Sequence, residues 1–305
     1  MRYNSPNTKS VQHNLGPIAD SSQIKSQFLI RIPVLLTVLL IASGCVHLAI
    51  LAIHGTSWHG PLSLRKPALF GISGGLTLWS IAWLMTQLLP KNSDRFLLNS
   101  LSMALFIEVA LITLQTWRGV SSHFNHSTNI DAAIEFTMLG LILFVTGGIF
   151  YLTWRTHWLR AIHPAMAIAI RGGMGLLALS CLLGIAITVL GEVGLSAGRS
   201  YELWGRAGVL KFPHGVALHA IQLLPILAWL ARILCLDRSV RIVQSAFAAQ
   251  FLFLIYAVWQ TVRGRDRFDW DAVGGIMIAV VIFLSVYPVL EIIRTFLMRS
   301  KRSNA

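Results

Sequence analysis

Two short stretches hold most of the side chains able to do chemistry. QTWRGVSSHFNHSTNID, from Gln115 to Asp131, contains His123, His126 and Asp131, and KFPHGVALH, from Lys211 to His219, adds His214 and His219. Neutral imidazoles with a carboxylate form the ligand set of a catalytic zinc, which keeps one coordination position open for water. His123, His126, Asp131, His214 and His219 are therefore candidate metal ligands. In an enzyme built on them, His123, Asp131 and His214 would supply acid–base groups, with Glu108 as a buried proton carrier. The spacing itself is no signature, because HxxH in a loop is permissive and the five-residue step from His214 to His219 sets the rings about 140° apart on a regular helix.

A second chemistry is anion recognition. Lys66 precedes Pro67 and Lys211 stands two residues before Pro213, each at the start of an apolar run, while Arg118 and Arg263 close two other runs. Helix N-termini present unpaired N–H groups and a positive dipole end, so Lys66, Gln115, Arg118, Lys211 and Arg263 are candidate ligands for a phosphate or carboxylate. Each cation also has the plainer role of snorkelling to lipid headgroups. Glu108, Gln115 and Arg118 are spaced by seven and three residues, hence lie on one helical face. A carboxyl at the mid-depth of Glu108 must face protein or water. A third chemistry uses His47 and His219 as axial ligands of a b-type haem, the cations taking its propionates.

The elements that must position these residues are membrane spans. The 305-residue chain is 55% hydrophobic and only 12% charged, where an ordinary soluble domain carries about 25% charged residues. Runs long enough for the ~20 apolar residues that cross a hydrocarbon core recur at 28–53, 67–90, 97–117, 132–154, 165–190, 213–235, 242–262 and 272–298. The expected fold is an all-α integral membrane protein of about eight transmembrane helices. Residues 1–27 form a polar tail, 28–154 and 155–298 two four-helix halves, and 299–305 a basic tail. The first run is too long for a signal-peptide core and lacks a clear cleavage site, so it is expected to be retained.

Of 25 Lys and Arg, 16 lie on the side that holds both termini and nine on the other. Basic loops stay in the cytoplasm, which places both termini there and the chain in a bacterial inner membrane. The net charge of +13 then reflects topology rather than a nucleic-acid partner. Most acids and histidines, among them His54, His59, Glu135, Glu192 and Glu202, fall on the extracytoplasmic side with the candidate site. Cys45, Cys181 and Cys235 sit in apolar runs and read as small buried side chains. The linker from Gly191 to Gly215 is long enough for a lid, and Trp58, His59, Gly60 and Pro61 are expected to fold over the same surface. P-loop, nucleophile-elbow, HExxH and CxxC motifs are missing from the sequence, which weighs against ATP-driven transport, serine hydrolysis, zincin proteolysis and thiol redox work.

An internal repeat is visible. Pro67 falls on Pro213 and Trp83 on Trp229 at an offset of 146, and QTWRG at 115–119 recurs as QTVRG at 260–264 at 145. Four spans per copy make the copies parallel, related by an axis along the membrane normal. Lys66, Lys211, Arg118 and Arg263 would then ring that axis.

On QTWRGVSSHFN with Thr128 and Asp131, together with Trp58, Lys66-Pro67 and PHGVALHAIQLLP, the chain resembles a family of uncharacterised bacterial polytopic membrane proteins. The likeness touches spans two, three and six and the loops between them. It implies membrane class and no activity. Four functional classes stay open: a metal-dependent enzyme on a lipid-like or anionic substrate, a transporter or channel with Glu108 in its path, a bis-histidine haem protein, and a structural subunit. The partners expected are the bilayer and a lipid or small anion.

Overall fold

The computed structural model describes residues 16–303 except 56, 59, 61, 161 and 235, with side chains from 30 to 298 other than these and 236. His59, Pro61, Cys235 and residues 1–15, all read above, lie outside the described residues. The helices are α1 (Gly16–His54), α2 (Arg65–Gln87), α3 (Asp94–Trp117), α4 (Asn129–Arg155), α5 (Pro164–Ser196), α6 (Lys211–Leu218), α7 (Ala220–Leu234), α8 (Ser239–Val262) and α9 (Ala272–Ser303). α6 and α7 share one span, so eight segments are long and apolar enough to cross a membrane. The chain is an all-α, multi-pass membrane protein. Helix α1 starts at Gly16, so part of the stretch read as a polar tail continues the first span as helix.

With the N-termini of α2 and α6 drawn uppermost, the ends of α3, α5 and α8 and the starts of α4 and α9 also lie at the top. α1 packs on α2 and α3, and α3 on α4. α5 packs on α6, α7 and α8, and α8 on α9. The halves meet through α4 with α5 and α2 with α7. Apolar side chains gain nothing by leaving lipid for a helix interface, so close association relies on small residues that let backbones approach. A Cβ at Gly71 would lie 2.7 Å from the Leu40 carbonyl, and one at Gly173 would lie 2.8 Å from Cα of Ile221. α9 leaves almost its whole length uncovered.

The Gly191–Gly215 linker is more ordered than a lid. α5 runs on to Ser196, and Leu203–Trp204 (β1) pairs antiparallel with Gly208–Val209 (β2). This hairpin seats on the end of α8 through Ala207 N–H to Gly264 O at 2.9 Å and Trp204 Nε1–H to Val262 O at 3.1 Å.

The lower end is closed by charge. Arg155, counted above with the basic loop residues, is 3% exposed and bonds both oxygens of Asp94 and the Leu89 carbonyl. It ties α4 to the start of α3, and is an interior clamp rather than a loop charge.

Candidate functional site

The upper end gathers four groups from four places. Lys66 is the second residue of α2 and Lys211 the first of α6. His123 comes from the α3–α4 loop and Glu202 precedes β1. Lys66 Nζ lies 3.3 Å from His123 Nδ1, and Ser122 Oγ lies 3.2 Å from the same nitrogen. Burial, then the charges of Lys66 and Lys211, push the His123 pKa down to about 3. The imidazole is therefore neutral at physiological pH. An ammonium only donates, so Nδ1 accepts and the ring proton sits on Nε2.

Lys211 Nζ bonds Glu202 Oε1 at 2.5 Å. Burial works to raise the Glu202 pKa, but the hydrogen bond from Lys211 and the charges of Lys211, Arg65 and Lys66 outweigh it and hold the carboxyl below its ordinary value. Lys211 is thus compensated. Lys66 has no carboxylate in salt-bridge contact among the described residues.

The other two cations of the expected ring are engaged. Arg118 bonds Asp131 Oδ1 at 2.8 Å and also Gln115 Oε1, while Gln115 Nε2 bonds the same Asp131 oxygen at 3.0 Å. Thr128 caps α4, its hydroxyl accepting from Asp131 N–H at 3.1 Å and donating to Asp131 Oδ2 at 2.7 Å. Asp131, 3% exposed, is fully subscribed in a clasp between the end of α3 and the start of α4. Arg263 lies over the Trp259 ring at 4.9 Å and is exposed.

The five histidine and aspartate positions read as one metal set are not brought together. Among the described residues the group that converges is His126, Glu135 and Glu192, with one ligand atom of each within 4.8 Å of the others. Sequence reasoning gave neither glutamate a ligand's role. Glu135 lay within reach, one helical turn after Asp131, whereas Glu192 arrives from α5, far along the chain.

His214 Nδ1–H donates to the Ser180 carbonyl at 2.8 Å and the Ser180 hydroxyl donates to His214 O at 2.9 Å, locking α6 on α5. His47 does not suit a haem iron. Its Nδ1–H donates to Ser43 O at 2.7 Å, and its Nε2 accepts from Trp117 Nε1–H at 2.9 Å, so neither nitrogen is free for an axial bond.

No protein-family model, curated protein or solved structure matches this chain.

The remaining polar features lie between the halves and beneath them. The sixth span breaks at His219, which separates α6 from α7. Its Nε2 lies 3.5 Å from Ser73 Oγ on α2, a position 146 residues earlier. At the lower end of the same helices an open cavity of about 500 Å³ is lined by Trp83, Gln87, Ile162, His163, Met166 and Arg232. Glu108, 5% exposed, keeps one carboxyl oxygen without a hydrogen-bond partner. It lies within electrostatic range of Cys181 on α5.

Proposed function

We propose that the chain is a membrane transporter for a small anion, its path running between the halves along the contact of α2 with α6 and α7. The observation that carries the proposal is the break at His219 in mid-span, with its ring against Ser73. Transporters place substrate sites at interrupted helices near mid-membrane, where freed backbone groups and polar side chains face the path. Lys66, His123 and Lys211 stand above the break. The cavity with His163 and Arg232 lies below it. Cationic groups at both ends favour a negative passenger, and Lys66, the least compensated of them, is its attracting group.

An internal duplication agrees with this path. α3 and α8 are each 24 residues long and begin and end 145 residues apart. They also stop alike: Val120 N–H bonds Gln115 O at 3.1 Å and Arg265 N–H bonds Gln260 O at 3.0 Å, with Gly119 at φ +72° and Gly264 at φ +65°. Ser73 and His219, equivalent under the repeat, meet where a pseudo-twofold axis would pass. The path is thereby moved from Glu108, which faces α5, to the α2–α7 contact.

The test is flux of labelled phosphate and short carboxylates into liposomes holding the purified chain. Lys66→Gln is expected to raise the half-saturating concentration roughly tenfold, the equivalent of about 1.4 kcal/mol, and His219→Ala to stop flux without loss of folded protein. Wild-type flux no greater than that of empty liposomes, or equal flux in both variants, would overturn the proposal.

A further inference from the structure

We infer that His126, Glu135 and Glu192 bind a divalent transition metal, zinc being the expected ion, at the upper end of the first half. The inference is independent of transport. One imidazole nitrogen and two carboxylate oxygens are a three-ligand zinc set that leaves a fourth position for water, and the imidazole disfavours magnesium and calcium, which prefer oxygen. Ligand atoms on a shared zinc lie roughly 3.4 Å apart at tetrahedral angles. His126 Nε2 and Glu135 Oε2 are 3.2 Å apart, and all three ligand atoms fall within 4.8 Å. A small side-chain closure by Glu192 completes the geometry.

Charge gives the second argument. Glu135 and Glu192 converge without a lysine or arginine in salt-bridge contact with either among the described residues, and their neighbour His126 is exposed. Two carboxylates this close repel unless a cation lies between them.

The surroundings hold two ligands in place without the metal. Glu135 accepts the N–H groups of Phe124 at 2.6 Å and Asn125 at 2.7 Å, which fixes its carboxylate and the loop carrying His126. Phe124, at φ +59°, is the one non-glycine residue among those described in the left-handed region, a costly conformation for a bulky side chain. Its ring packs on Tyr201 with centroids 4.9 Å apart and fits against Gly191, where a Cβ would lie 2.5 Å from the ring. The loop is thus braced against the residue that precedes Glu192.

The experiment is elemental analysis and zinc titration calorimetry on the detergent-purified full chain, with the visible spectrum after cobalt replacement. Glu192→Gln is the deciding variant, because Glu192 gives up no hydrogen bond of the fold. His126→Ala supports it, and Glu135→Gln is avoided because it would release the loop. The expected result is one equivalent of zinc in the wild type and an affinity loss of more than about tenfold in both variants, with the cobalt spectrum lost. Wild-type protein without stoichiometric zinc would overturn the inference and leave a proton as the counter-charge. Variants that bind zinc as the wild type does would overturn it as well.

Discussion

The neutral state of His123 is paid for in stability at low pH. Its pKa of about 3 in the folded chain stands against about 6.5 for a free imidazole, so between these values the unfolded chain binds a proton that the native one refuses. Stability therefore falls as pH drops from about 6.5 towards 3. The thermal midpoint in detergent is expected to decline between pH 7 and pH 5, and His123→Asn to flatten that decline; an unchanged slope in the variant would show that His123 is not its source. The residues around it show why type alone does not assign a role. Asp131 has the chemistry of a ligand or a base, but four hydrogen bonds consume it. His47 likewise spends both nitrogens on Ser43 and Trp117.

At the scale of elements, the repeated QTxRG is a helix stop. Its glycine takes the left-handed conformation in both copies, and the buried glutamine ties the helix end to the loop beyond: Gln115 to Asp131 at 3.0 Å, Gln260 to Asp269 O at 2.6 Å. A side chain in that conformation costs about 1 kcal/mol. The copies differ in their surroundings. Nothing lies within 4 Å of a Cβ at Gly119, whereas one at Gly264 would meet Gly205 Cα and Arg206 N at 3.2 Å, in the hairpin that seats there. Gly119→Ala is expected to lower stability by about 1 kcal/mol, and Gly264→Ala by more because it also displaces the hairpin. Denaturant titration in detergent micelles compares them, and equal losses would mean that the hairpin does not bear on α8.

For the whole molecule, an upper contact closed at Ser73 and His219 and a lower cavity open at Met166 describe one state of an alternating path. A membrane-impermeant thiol reagent should label Met166→Cys from the side that holds the ends of α7 and α9, in a chain with its native cysteines replaced by serine. A saturating anion on the opposite side is expected to slow that labelling by drawing the molecule towards the upper-open state. Labelling indifferent to the anion would remove alternating access from the proposal.

Composition and the length of its apolar runs determined this fold by themselves, because lipid offers no partner to an open backbone and only helices of about 20 residues satisfy it. The eight spans were legible for that reason, and the QTxRG stops because glycine and glutamine leave a local mark. Pairing across the bundle was not, since it depends on which helix faces which. Glu192 reaches His126 from α5, Arg155 leaves its loop for Asp94, and a helix that reads as continuous breaks at His219 opposite Ser73. Apolar periodicity says how deep a residue lies but not which neighbour it meets, and only the packed helices decided that.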